Sequence, residues 1–321
     1  MVSGIVGSKS CQLPEIAKKV PDGRKHESRS KRFARFLQNK NVTPETFFLP
    51  YAHVLVQSLP PGPLVLVMDG SVVGHGRQRR GAWVHGLDAQ RAVPTRQTER
   101  QSKRALPLCW LVVKAKKGHF TQERHQELLA HVKSLMPPGR DVIFLGDGEF
   151  DGCDLLADVA KAGWHYVRRT AKNVLLSEAD WPDEMFTLSQ MMTDGGLSPG
   201  DSVELADVLF SAQGLGPVLV GAVWEPDQDE PLLLVSSLDF LSEAHAWYKK
   251  RFGIETLFSD LKGRGFHLGH SHLSDPQRVI PNACVGCWSP LAWPTTGWSA
   301  WASKSSGAVG RGSFTARTGA T

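Results

Sequence analysis

Apolar and polar positions follow two regimes along the chain. From residue 10 to 59 the apolar residues recur at helical spacing. Phe33, Phe36 and Leu37 share one side of a helix over Ser28 to Lys40, with Lys31, Arg32 and Arg35 in other directions. Thr43-Pro44-Glu45 reads as a helix start, with a capping hydroxyl, proline in the first turn and an acid at the positive end of the dipole. That helix runs through Tyr51 to Leu59 and stops at Pro60-Pro61-Gly62-Pro63. The pattern then changes. Leu64-Val-Leu-Val-Met68 is a continuous apolar run ending in Asp69-Gly70, and Asp141-Val-Ile-Phe-Leu145 repeats it before Gly146-Asp147-Gly148. Each run predicts a buried strand followed by a turn. Helices are predicted over Gln122 to Leu135 and Cys153 to Ala162, and a short strand over Trp164 to Val167. Strands alternating with helices predict an α/β core. In residues 170–240 the texture differs: Val203 to Phe210, Val218 to Trp224 and Leu232 to Leu238 are strand-like runs between turn residues, a β-rich insertion.

The segment Tyr248 to Lys262 carries a second kind of pattern. On one continuous helix, with about 100° per residue, Tyr248, Arg251, Glu255 and Lys262 project within an arc of roughly 60°. Trp247, Ile254, Leu257, Phe258 and Leu261 form a neighbouring apolar stripe. The ridge of phenol, guanidinium, carboxylate and ammonium suits a phosphodiester beside a metal ion; the alternative is an ordinary solvated helix face.

Charge sharpens the picture. The net charge is +5, yet residues 1–50 alone hold ten Lys/Arg against four Asp/Glu. A basic block of this kind suggests a polyanionic partner, nucleic acid first. No apolar run is long enough to span a membrane. Met1 to Lys9 lacks the features of a signal peptide, so a cytoplasmic protein is expected. Five scattered cysteines do not suggest a disulfide framework, and Cys284-x-x-Cys287 lacks the second ligand pair that zinc requires.

Two buried strands each deliver an aspartate, Asp69 and Asp147, and a later helix presents Glu255. Sites in open α/β sheets form beyond the carboxyl ends of strands. Three converging carboxylates repel one another unless cations lie between them, and hard divalent ions favour such oxygen ligands. Taken singly, either aspartate is an ordinary turn residue; the joint pattern is what points to chemistry.

Val-Met-Asp69-Gly-Ser, Leu-Gly-Asp147-Gly-Glu-Phe and the Tyr248, Arg251, Glu255, Lys262 spacing together resemble a DDE transposase of insertion sequence family 4, whose Tyr-Arg-Glu-Lys signature is matched in full. The resemblance covers residues 1–74 and 105–275. It implies an RNase H-like catalytic core (61–169 and 241–275) with the β-rich insertion (170–240) and a helical DNA-binding region (1–60). It also implies two Mg²⁺ or Mn²⁺ ions held by Asp69, Asp147 and Glu255, with DNA phosphates held by Tyr248 and Arg251 and positioned by Lys262. Lys31, Arg32 and Arg35 are the candidate DNA contacts of the N-terminal region. Glu149, Asp151 and Asp154 are nearby acids expected at the surface or behind the ligands, or, should the register differ, in place of Asp147. The implied partners are the element's terminal inverted repeats and target DNA, with a homodimer in the DNA complex, in a bacterial cytoplasm at the nucleoid. A catalytically inactive DNA-binding remnant and a host RNase H-like nuclease are the competing readings.

Two stretches depart from the family pattern. His75 to Arg104 is rich in arginine and glutamine where the core needs strands antiparallel to that of Asp69, with only Ala82-Trp-Val84 apolar in series. Pro276 to Thr321 holds Trp288, Trp293, Trp298 and Trp301, no acidic residue and no sustained periodicity. Both are expected to be frameshift products, the second a disordered tail; the alternative for 75–104 is a basic loop that grips DNA.

Overall fold

The computed structural model describes residues 2–41, 46, 48–59, 61–72, 79–88, 105–114, 121–150 and 152–259. Strands β1 (Leu64–Val72), β2 (Arg79–Asp88) and β3 (Leu106–Lys114) form an antiparallel meander. Strands β4 (Val142–Gly146) and β5 (His165–Arg169) continue the sheet on the other side of β1, each parallel to its neighbour. The order is therefore 3-2-1-4-5, an RNase H-like α/β core. Helix α5 (Gln122–Leu135) links β3 to β4, and α6 (Cys153–Lys161) links β4 to β5. Parallel neighbours need such crossovers, and covering the sheet with helices is why Leu64–Met68 and Val142–Gly146 are buried without interruption.

Part of the stretch His75 to Arg104 forms a strand that its composition did not suggest. Residues 79–88 form β2, paired along its length with β1 and β3. A central strand is held by backbone hydrogen bonds to both neighbours, and that tertiary context overrides an Arg- and Gly-rich composition. Residues 75–78 and 89–104 lie outside the described residues, as does Pro276 to Thr321.

Strands β6 (Leu175–Glu178), β7 (Trp181–Thr187), β8 (Ser202–Phe210), β9 (Leu215–Val223) and β10 (Leu232–Ser236) are antiparallel, with α7 (Leu188–Asp194) after β7. β10 pairs with β5, so these strands extend the same sheet to ten, in the order 5-10-9-8-6-7. β8, β9 and β10 correspond to the expected apolar runs; β6 and β7 had no readable pattern.

The N-terminal helices are α1 (Val2–Ser8), α2 (Leu13–Lys18), α3 (His26–Gln38) and α4 (Leu49–Ser58). On α3, Phe33 and Leu37 are buried while Lys31, Arg32 and Arg35 are exposed. α4 packs on β3, where the Phe48 and Trp110 ring centroids lie 4.6 Å apart. The helix start foreseen at Thr43-Pro44-Glu45 falls outside the described residues.

Helix α8 (Leu241–Lys249) crosses β5, β9 and β10. It sits close because Gly221 on β9 has no side chain: a Cβ there would meet Leu241 Cδ2 at 2.6 Å and the Val203 carbonyl at 2.9 Å. The Tyr248 segment is not one continuous helix. α8 ends at Lys249, a 3₁₀ turn covers Lys250–Phe252, and α9 (Gly253–Ser259) follows. Glycine is a poor helix former, and the 3₁₀ turn ends where Gly253 begins the next helix. Among the described residues no helix is long and apolar enough to cross a membrane.

Candidate active site

The strand register brings the two aspartates together. Met68 on β1 pairs with Gly146 on β4, and Gly146 pairs with Arg168 on β5. One residue beyond that row come Asp69, Asp147 and Arg169, side by side at the carboxyl edge of three parallel strands. Asp69 does not sit in a turn, as the sequence suggested. β1 continues to Val72, with Asp69 opposite Trp83 on β2. It lies past the end of the ladder only on the β4 side, where β4 stops at Gly146.

Each aspartate is tied down locally. Asp69 Oδ1 accepts the Gly70 N–H at 2.7 Å. Asp147 Oδ1 accepts the Glu149 N–H at 3.0 Å, and its carbonyl accepts the Phe150 N–H at 3.2 Å, closing the 3₁₀ turn Gly148–Phe150. Burial pushes the Asp69 carboxyl up to about 6; the Arg251 guanidinium opposes this, and the nearby charges of Asp147 and Glu149 add to it.

Arg251 Nη1 lies 3.3 Å from Asp69 Oδ2, with the two side chains only 14% and 15% exposed. The buried Tyr248 ring lies 5.8 Å from the Arg251 guanidinium, and its phenol favours that cation. Burial raises the Tyr248 phenol above its ordinary value. Burial alone would weaken the Arg251 cation, but Tyr248 and Asp69 outweigh it and keep the guanidinium protonated.

Asp69, Asp147, Tyr248 and Arg251 thus meet at one place. Glu149 joins them: its Oε2 would lie 2.9 Å from a Cβ built on Gly70, so its carboxylate covers that glycine. Asp154 is exposed in the first turn of α6, accepting a hydrogen bond from Gln122 Nε2; Asp151 is outside the described residues. Glu255 is exposed on α9. Among the described residues no three acid, histidine or cysteine side chains gather closely enough to hold a metal ion. The three residues of the 3₁₀ turn advance about 120° each rather than 100°, which turns Glu255 by roughly 60° from its place on a continuous helix. Lys262 lies outside the described residues. On α3, Lys31 and Arg35 are exposed, and Arg32 Nη2 pairs with Asp22 Oδ2 at 3.0 Å.

A cavity of about 300 Å³ opens beside the aspartates, lined by Asp147, Gly148, Arg169, Thr170, Ala171 and Arg251, with Arg168 at its base. Arg168 is fully buried; its Nη1 donates to the Phe150 carbonyl at 3.1 Å and so braces the turn that carries Asp147. Neither Arg168 nor Arg169 was singled out from sequence. The only available signal was a pair of arginines directly after a predicted strand.

The matching family decides the class. A model of the transposase DDE domain matches residues 60–283. The chain belongs to the DDE transposase family. Among solved structures, this DDE domain is similar to the piggyBac transposase in a synaptic complex with hairpin DNA, at 12% identity and a TM-score of 0.43, over 83% of this chain and 58% of that chain. It is also similar to Ciona intestinalis endonuclease V in complex with a 24mer DNA containing an inosine followed by a ribo-adenosine, at 13% identity and TM-score 0.31, over 64% and 91% of the two chains. The catalytic domain of human endonuclease V matches at 13% identity and TM-score 0.29, over 75% and 96%. The DDE chain thus spans 58% of the length of the piggyBac transposase. No curated protein matches it.

DDE transposases generally use divalent metal ions. Asp69 and Asp147 suit such an ion: two oxygen donors at one level, partly dehydrated, with a guanidinium offsetting their repulsion.

Proposed function

We propose that this DDE chain is a DNA transposase of the insertion sequence family 4 branch, which cuts and joins DNA at the ends of its own element. The observation that carries the reading is the row of Asp69 on β1 and Asp147 just past the end of parallel β4, with Arg251 of the signature against Asp69 and Tyr248 beside Arg251. In this reading Asp69, Asp147 and Glu255 hold two Mg²⁺ or Mn²⁺ ions. Bound there, such ions supply activation of the attacking oxygen and neutralisation of the leaving one.

The chain's own residues do the rest. Arg251 suits a bidentate hold on a DNA phosphate, and Tyr248 keeps its guanidinium in place. Lys262 adds a point charge, and Lys31, Arg32 and Arg35 present the basic N-terminal face to the duplex. Water adds to phosphorus and the 3′-oxygen leaves; that freed 3′-hydroxyl then attacks a target phosphodiester and displaces a second 3′-oxygen. The partners are the terminal inverted repeats and target DNA, with a homodimer bringing two ends together. Residues 276–321, with four tryptophans and no acid, support a tail translated out of the ancestral frame, which three-frame translation of the resequenced gene tests.

The test is cleavage of DNA carrying the element's ends, with Mg²⁺ or Mn²⁺. Asp147→Ala should lower the rate on the order of 10³-fold or more with the fold intact. Binding to the ends without cleavage by the unaltered chain would mean an inactive remnant. Cleavage indifferent to end sequence would mean a general nuclease.

A further inference from the structure

We propose that the cavity beside Asp147 is a subsite for a backbone phosphate of the DNA, with Arg169 as its positioning residue; this rests on the transposase reading above. Arg169 stands in the same row as Asp69 and Asp147, one residue past the Gly146–Arg168 pair. It is exposed, and its guanidinium has no hydrogen bond or ion pair among the described residues. The two other cations of the cavity are already engaged. Arg168 is buried and holds the Phe150 carbonyl, and Arg251 faces Asp69.

The Arg251 side chain also lines the cavity, at 14% exposure. The lining sets the positive charge of three arginines against one carboxylate, and of the three Arg169 is the exposed one. Among the described residues the lining contains no aromatic ring on which a base would stack and only Ala171 as an apolar side chain, so the chemistry fits a phosphodiester rather than a nucleobase. Asp147 itself lines the cavity on one side and Arg169 on the next strand, so a phosphate held by Arg169 is a neighbour of the one being cut.

The experiment is a salt titration of binding, followed by fluorescence anisotropy of a labelled random-sequence duplex with the full chain in EDTA. A phosphate contact is independent of sequence and contributes about 0.9 to the slope of log K against log salt. Arg169→Ala should weaken binding and lower that slope by about one, Arg169→Lys should restore it, and Lys161→Ala, an exposed charge on α6, should leave it unchanged. Thermal melts by circular dichroism should coincide for all variants, because Arg169 is exposed. An unchanged slope in Arg169→Ala, or an equal loss in Lys161→Ala, overturns the subsite and leaves the transposase reading standing. Absence of salt-dependent duplex binding by the unaltered chain removes both.

Discussion

All five residues of β4 are buried, whereas the first five of β7 are exposed and its last two half-buried, although both are strands of one sheet. β4 lies between β1 and β5, with helices covering the sheet, so every side chain must be apolar or small. β7 is the outermost strand, paired on one side only, with β6. There the backbone ladder alone defines the strand, and charged residues on an edge discourage pairing with other chains. The contrast has a functional side. Asp147, a metal ligand in the proposed function, inherits its position from a strand that cannot shift without opening the core, the kind of support that such a role needs. Nothing of the site depends on the placement of β7.

Substitutions across this contrast should span a wide range. Phe144→Ala removes a fully buried ring from β4 and should cost about 3–5 kcal/mol, read as a lower urea midpoint at unchanged m-value. Asp69→Asn acts through pH. The folded-state carboxyl titrates near 6 against an ordinary value of 3.8, so the folded state binds more protons between them. Metal-free stability should therefore fall as pH rises from about 4 to 6, then level off. The asparagine variant should lack this fall and be more stable at pH 7 by about 2–3 kcal/mol, since a tenfold change in proton affinity is worth about 1.4 kcal/mol. Urea midpoints in EDTA from pH 4 to 7 test this; parallel pH profiles for the two proteins would refute it.

The outer wing should respond less. Thr187 ends β7 and caps α7, its side chain accepting the Gln190 N–H while Gln190 reciprocates. Thr187→Ala should cost about 1 kcal/mol by the same denaturation. Trp181→Ala, at 61% exposure, should stay within about 0.5 kcal/mol. A Trp181 effect as large as that of Phe144 would mean that the wing is a second core rather than an extension of the sheet.

The sequence by itself determined the interior. Leu64–Met68 and Val142–Leu145 are unbroken apolar runs because both of their faces are covered, so local composition already encodes their environment. The same is true of Phe33 and Leu37 on α3, and of the Tyr-Arg-Glu-Lys spacing, which reads the same in any fold. Tertiary structure alone decided the rest. β2 is a strand because β1 and β3 supply hydrogen-bond partners on both sides, whatever its arginines prefer. The break at Lys250–Phe252 could not be read from angular spacing that assumes an unbroken helix. Arg169 comes level with the aspartates only through the pairing of β4 with β5. Such register is a property of strands distant in sequence, and no local pattern carries it.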